Sequence, residues 1–302
     1  MFVRDGILTR PEALTKFPGV LAGFSSRAGG VSTLPHTASL NLADGLGDDP
    51  ETVRKNKEIF ARAVSAGMYG GSATVAAHQI HSARVRILTR ENAGEGFDRA
   101  AGEDCDGFVT AEPGVMPVIR TADCAPILFA GLREDGVPIV AAVHAGWRGT
   151  VSGIAAEAVR VMESLGCVPS GIRAAIGPRI GFCCYEVGED FAEAVRQARG
   201  SGFAARHIRL IEGSPAGSRP HADLAGMNLE VLAEAGIAAS QVEVSPVCTM
   251  CDEAYSSHRR MRGVRGVMGA GIVICAGRCP GSGEPPRARD ELACGRRDPY
   301  PS

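Results

Sequence analysis

The chain has 302 residues, enough for one large domain or two smaller ones, and its 45% hydrophobic and 22% charged residues suit a folded protein with a sizeable core. A formal net charge of −2, with only Lys16, Lys55 and Lys57 as lysines among 32 basic residues, gives no electrostatic reason to expect nucleic acid or an anionic membrane as partner. No apolar run approaches the roughly 18 residues of a membrane span, and the first twenty residues lack the apolar stretch of a signal peptide. The expected location is therefore the cytoplasm, where ten cysteines in a chain this long read as core residues, metal ligands or nucleophiles rather than a disulfide scaffold.

No internal repeat is visible. Residues 1–72 alternate short apolar pieces with Gly, Pro and Ser until a helix starts near Pro50, with Asp48 or Asp49 as its cap. Strand candidates follow around SATVAAHQI, ARVRIL, GFVT (107–110), MPVIRTAD (116–123) and APILFA (125–130). VPIVAAVH (137–144) is a near-continuous apolar strand, which predicts burial on both faces. Past Gly149 the spacing of Val151, Ile154, Ala155, Ala158, Val159 and Met162 becomes helical, with Thr150 as cap and Gly166 as stop. A strand at 171–176 and a helix near 188–199 form a second such unit. A helix at 223–236, a strand at 241–247 and a last strand at 266–276 complete the ordered chain. From Gly277 to Ser302 the composition turns to Gly, Pro, Arg and Asp without periodicity, so residues 1–276 are expected to form the domain and 277–302 a disordered tail. Strands and helices without strict alternation favour an α+β fold, with mixed sheets layered against helices in a single domain.

His81, Cys124 and His144 each fall at the end of a predicted strand, where adjacent strands of a sheet can bring them together. Two imidazoles and a thiolate form a borderline-soft ligand set, and three protein ligands leave a fourth position open, as in a catalytic zinc site. Spacing alone equally allows two loop histidines and a buried thiol. The only tryptophan, Trp147, sits in AVHAGWRGT (142–150) between two glycines, where its indole suits a wedge that packs the turn.

The ordered blocks GFSSRAGGVS (23–32), HQIHSARV (78–85), TADCAPILF (121–129), AVHAGWRGT (142–150), GPRIGFCCYEVGEDF (177–191), DLAGMNLEVLAEAGI (223–237) and CTMCDEAYSSHRR (248–260) together resemble the YfiH family. That family is also called the laccase-domain or polyphenol-oxidase family and is regarded as purine nucleoside phosphorylases. The resemblance covers about residues 20–275 and implies a CNF1/YfiH-like fold. It makes His81, Cys124 and His144 ligands of a mononuclear zinc, with copper as the other metal to consider, and His78 a neighbour. It implies phosphorolysis of adenosine, inosine and S-methyl-5′-thioadenosine, together with adenosine deamination. Arg260, then Arg148 and Arg27, are the arginines expected to hold phosphate, with His258 beside them, because a planar guanidinium fits phosphate oxygens. Asp123 and Glu186 are the acids nearest the motifs and so the candidate proton shuttles. The chain departs from the family in having Ser26 before Arg27 and Tyr255-Ser256 where two aromatic residues are common. Purine nucleosides and inorganic phosphate are the expected partners, and a monomer or small homo-oligomer the expected state.

Four other readings compete. A conventional multicopper oxidase needs about ten histidines, often in His-x-His pairs, whereas this chain has 7 and no such pair. A single copper at the same three residues, or a thiol hydrolase pairing Cys124 with His144, uses the same side chains. HAD (221–223) with PVCTMC (246–251) approaches a cytidine-type deaminase signature, but an Asp stands for the Glu and Val247 interrupts Pro-Cys. Finally, Cys248, Cys251, Cys275 and Cys279 could form a structural zinc knot, with Cys183 and Cys184 simply buried thiols.

Overall fold

The computed structural model describes residues 1–277 apart from Ser214 and Ala216. In chain order the elements are β1 (Phe2–Asp5), β2 (Leu8–Pro11), α1 (Glu12–Thr15), β3 (Val20–Ser25), α2 (Pro50–Val64), β4 (Thr74–Val75), β5 (Val85–Leu88), β6 (Gly107–Thr110), β7 (Met116–Thr121), β8 (Ala125–Leu132), β9 (Pro138–Ala145), α3 (Trp147–Val151), α4 (Ile154–Ser164), β10 (Arg173–Ile176), α5 (Glu189–Arg199), α6 (Ser201–His207), β11 (Ile208–Arg209), β12 (His221–Ala222), α7 (Leu224–Glu234), β13 (Val242–Val244) and β14 (Met268–Ile274).

Two mixed six-stranded sheets carry the molecule, one in the order β1-β2-β3-β14-β7-β4 and the other β13-β10-β8-β9-β6-β5. The first is antiparallel except for β4 against β7, and the second except for its two edge pairs, β10 with β13 and β5 with β6. Apolar residues of β3, β7 and β14, among them Phe24, Ile119 and Ile272, meet Phe108, Leu128, Val140 and Ala142 of the second sheet in one buried cluster. The other face of the second sheet presents Ile127, Phe129, Ile139, Ala141 and Val143 to Ile154, Val159, Met162, Met227 and Val231 of α4 and α7. On the outer face of the first sheet, Phe60 and Val64 of α2 pack on Met116, Val118 and Val273. The result is a helix–sheet–sheet–helix stack in a single domain, the α+β architecture expected from the sequence.

Strand β9 shows why its sequence lacks alternation: odd-numbered residues face the helices and even-numbered ones the other sheet, and both sets are buried. Helix α2 begins as its sequence predicts, with Asp49 accepting from the Thr52 N–H and Pro50 at the first helical position. Two expectations need correction. The helix expected after Gly149 is two helices, because Gly153 adopts φ +82° and interrupts the hydrogen-bond ladder between α3 and α4. Thr150 is inside α3 rather than capping it, and its buried hydroxyl is paired with Asn228 of α7. SATVAAHQI yields only the two-residue β4, after which the chain loops over the end of the sheets. The predicted tail from residue 278 onward lies outside the described residues. Among the described residues no helix is long and apolar enough to cross a membrane.

Candidate functional site

His81, Cys124 and His144 converge, and their donor atoms all lie within 4.8 Å of one another. Cys124 and His144 come from adjacent strand ends of one sheet, as the sequence suggested, whereas His81 comes from a loop and not from a strand end. His81 is in the loop that runs from β4 of the first sheet to β5 of the second, and His144 is in β9 of the second. Cys124 ends the three-residue step by which the chain leaves β7 and enters β8 in the opposite sheet. The β8–β9 register, with Ala125 opposite Ala145 and Pro126 opposite His144, sets the thiol beside the imidazole. Cys124 Sγ is 3.8 Å from His81 Nε2, and the two imidazole rings meet edge-on with centroids 4.7 Å apart. His144 is buried, Cys124 half-buried and His81 exposed, so the set is covered on one side and open on the other. Both His81 (φ +60°) and Asp123 (φ +88°) hold left-handed backbone conformations unusual for residues with side chains.

Asp106, which sequence reasoning missed, organises this centre. Its Oδ1 lies 2.8 Å from His144 Nδ1, leaving His144 Nε2 for the cluster. The same buried carboxylate accepts from the N–H groups of Ile80, His81 and Ser82 and from the Ser82 hydroxyl, fixing the loop that carries His81. Burial alone would raise its pKa, but His144 and Ser82 more than offset that and hold the carboxyl at about 2. Burial likewise disfavours both charged forms of the Cys124–His144 pair, yet their mutual attraction wins. With Asp106 aiding the imidazole and His81 the thiol, the thiol sits at about 6 and the imidazole at about 9. The pair is a thiolate beside an imidazolium when only protons compete for it.

The glycines of AVHAGWRGT follow from close approach. A Cβ on Gly146 would come within 2.7 Å of His81 Cδ2 and 3.1 Å of Cys124 Sγ, and one on Gly149 within 2.8 Å of the Ser82 carbonyl oxygen. Trp147 starts α3 and packs its ring on Phe191 at 4.9 Å, with the Arg148 guanidinium stacked over it at 4.4 Å. It wedges the turn without lining the metal-site cavity.

That cavity has a volume of about 630 Å³, with His81, Cys124 and His144 in its wall together with Tyr185, His258 and three arginines, Arg120, Arg259 and Arg265. This volume is in the range of a small-molecule pocket. Arg265 brings a buried Nε with no hydrogen-bond partner among the described residues, a donor left for an anion.

The arginines expected to hold phosphate are elsewhere. Arg260 donates to the carbonyl oxygens of Thr249, Met250, Asp252 and Tyr255, whereas its neighbour Arg259 lines the cavity and donates from Nη1 to the Glu186 carbonyl. Arg27 is tied to the carbonyls of Ala38 and Pro35, and Arg148 lies on Trp147. Of the expected substrate residues only His258 lines the cavity. The two acids also need correction. Asp123 lines the cavity, but its carboxylate is occupied by the hydroxyls of Thr249 and Ser257 and the Arg259 N–H, so it holds a loop instead of carrying a proton. Glu186 borders a smaller neighbouring cleft with Trp147 and Arg219. His78 is exposed, 3.3 Å from Asp104, a neighbour and not a member of the cluster.

A four-layer fold with a His₂Cys centre at the seam of its two sheets defines the class of protein, and comparison with known proteins gives the family. Residues 21–275 match the family described as multi-copper polyphenol oxidoreductase laccase, and the chain belongs to this laccase-like, YfiH family. It is 35% identical over 256 residues, 83% of this chain and 89% of the relative, to a protein of Geobacillus stearothermophilus named purine nucleoside phosphorylase YlmD. It is 34% identical over 244 residues, 79% of this chain and 88% of the relative, to adenosine deaminase RL5 of an unknown prokaryotic organism. The structure of the Bacillus licheniformis hypothetical protein YfiH superposes with a TM-score of 0.80 at 31% identity, over 90% of this chain and 98% of that one.

Proposed function

We propose that the protein is a metal-dependent purine nucleoside phosphorylase that cleaves adenosine, inosine or S-methyl-5′-thioadenosine with phosphate and also deaminates adenosine. The observation that carries this reading is the juxtaposition, in one cavity, of an open three-donor centre and three guanidinium groups. The donor set fits a zinc ion: two imidazole nitrogens and a thiolate, with His144 oriented by a carboxylate, within a triangle that small side-chain shifts adapt to Zn–N of ~2.0 Å and Zn–S of ~2.3 Å. Copper fits the same atoms. The metal, held by His81, Cys124 and His144, supplies Lewis-acid chemistry next to the substrate.

In phosphorolysis a phosphate oxygen forms a bond to the anomeric carbon of the ribose, the bond from that carbon to the base nitrogen breaks, and the base leaves with a proton. Charge on the sugar develops before the new bond is complete, so positioning and electrostatics carry the step. Arg259, Arg265 and Arg120 hold the phosphate, replacing Arg260, Arg148 and Arg27 in that role. Tyr185, a ring in the cavity wall beside the Arg259 guanidinium at 5.5 Å, provides a flat face for the nucleoside. Asp123 and Arg260 shape the loop that presents His258 and Arg259. Purified, metal-quantified protein incubated with adenosine tests the reading: free adenine formed only when phosphate is present supports it, and inosine as sole product would leave a deaminase.

Asp106, His144 and Cys124 also form an acid–imidazole–thiol relay of the kind that activates a nucleophilic cysteine, which favours a thiol hydrolase as the second reading. Activity that survives chelation but not thiol alkylation would select it.

A further inference from the structure

The second cluster of ligating side chains lies away from the cavity. Cys183, Cys184, Cys248 and Cys251 bring four sulfurs within 4.8 Å of one another, although the two pairs are more than sixty residues apart in sequence. The sequence suggested a knot of Cys248 and Cys251 with Cys275 and Cys279. Cys275 instead follows β14 outside this cluster, and Cys279 lies outside the described residues. Cys183 is exposed and Cys184 half-buried, so neither is the core thiol expected.

We propose that these four cysteines bind a second, structural metal ion, a thiophilic divalent cation of the zinc type held as a tetrathiolate. A tetrahedral ion with metal–sulfur bonds of ~2.3 Å separates its sulfurs by roughly 3.8 Å. Sγ of Cys251 is 3.7 Å from that of Cys183 and 3.3 Å from that of Cys184, close to that edge and well beyond a disulfide bond of ~2.05 Å.

The backbone is arranged as for a thiolate ligand. Gly181 N–H donates to Cys248 Sγ at 3.2 Å, and the N–H groups of Met250 and Cys251 turn toward the same sulfur, as the Cys-x-x-Cys loop requires. A Cβ on Gly181 would stand 3.2 Å from Cys183 Sγ and 3.1 Å from Cys248 Cβ, so this position keeps the sulfurs together. Four thiolates around a dication leave a net charge of −2, and the Arg179 guanidinium lies within the field of Cys183 and Cys248 to compensate part of it.

The ion staples two loops that have little regular structure of their own. Thr249 N–H donates to the Arg179 carbonyl and Arg179 Nη1 to the Ser245 carbonyl, so the thiols close a seam already begun by the backbone. One loop carries Ile180 and Tyr185 and the other leads to His258 and Arg259, all four in the wall of the main cavity. All four sulfurs are free of the catalytic centre, so the proposal stands independently of the reading of that cavity.

Metal counting on the full-length protein, purified under reducing conditions with zinc supplied, tests it. The wild type is expected to hold two zinc ions per chain, and Cys184→Ser/Cys251→Ser one. To keep the result independent of how the cysteine variant folds, the decisive protein is His81→Ala/His144→Ala, which leaves the four cysteines intact. Loaded with cobalt(II), it should retain one ion with the intense thiolate-to-metal charge-transfer and tetrahedral d–d bands of a four-sulfur site. A folded His81→Ala/His144→Ala protein that binds no metal would overturn the proposal, as would a Cys184–Cys251 disulfide recovered from the reduced, zinc-supplied wild type. Absence of phosphorolysis in the wild type, with that four-sulfur site present in the double-histidine variant, would overturn only the reading of the cavity.

Discussion

At the scale of single residues the centre depends on Asp106 as much as on the three donors. One carboxylate orients His144 and grips the backbone that carries His81, so its removal disturbs two ligands at once. Replacing a partner of this kind typically costs 10–100-fold in metal affinity. Asp106→Asn is therefore expected to weaken zinc binding at the His₂Cys centre by about that factor, measured by competition with a chelating dye, while far-ultraviolet circular dichroism stays unchanged. The arginines divide in the same way. Loss of one charge-assisted hydrogen bond is worth about 1.5–3 kcal/mol. Arg259→Ala and Arg265→Ala should each raise KM for phosphate by roughly tenfold or more. Arg148→Ala should leave it unchanged, and Arg260→Ala should act first on thermal stability by releasing four carbonyls. Steady-state kinetics with phosphate as the varied substrate, alongside melting curves, separates these outcomes. Which of two adjacent arginines meets the cavity was not legible in SSHRR, because an irregular loop has no period from which to read side-chain direction. Asp106 was equally hidden. It meets His144 only because β6 pairs with β9 so that Gly107 stands opposite Val143, a long-range register that no local pattern encodes.

At the scale of elements, local signals succeeded where one segment decides its own state. The Asp49 cap with Pro50 behind it, the stop of α4 near Gly166 and the doubly buried β9 are written in consecutive residues. The short strands β1 and β2 were not, since β2 is placed by its pairing with β3 and β1 by its pairing with β2, and the extent of β4 within SATVAAHQI is set by its pairing with β7. The packing of α6 on α7 adds a testable charge device. Glu230 of α7 accepts from Arg206 Nε at 2.9 Å and lies 2.8 Å from His207 Nε2 of α6. The Arg206 hydrogen bonds, with help from His207, outweigh burial and lower the carboxyl from its ordinary 4.5 to about 2. A depressed folded-state value means that the ionised carboxylate stabilises the fold above the unfolded value and loses this contribution as acid titrates the folded form. Denaturant titrations of wild type and Glu230→Gln should thus differ most above pH 4.5 and converge as the pH falls toward 2. A constant difference across that window would place the effect in packing instead.

At the scale of the whole molecule the main centre sits where the chain passes between the two sheets, with His81 on the loop from β4 to β5, Cys124 on the step from β7 to β8 and His144 in β9. The sequence showed the three donors and the strand-end meeting of Cys124 with His144, but it extended a strand toward His81, because the apolar run after Val75 looks like strand and only its pairing with β7 ends it there. The proposed ion would tie the loop of His81 to β8 and β9 and, like any ligand of the folded state alone, would stabilise by mass action. At one hundred times its dissociation constant the contribution is about 2.7 kcal/mol. For a chain of 302 residues that corresponds to a rise in Tm of roughly 4 °C. The four-cysteine cluster joins only two loops and leaves this link untouched, so the two sites can be weighed separately. Zinc titrated into the metal-free Cys184→Ser/Cys251→Ser protein should raise Tm by that amount, and the increment should vanish when His81→Ala is added. If the increment persists without His81, the ion is held by other groups and the three-donor reading of the centre fails.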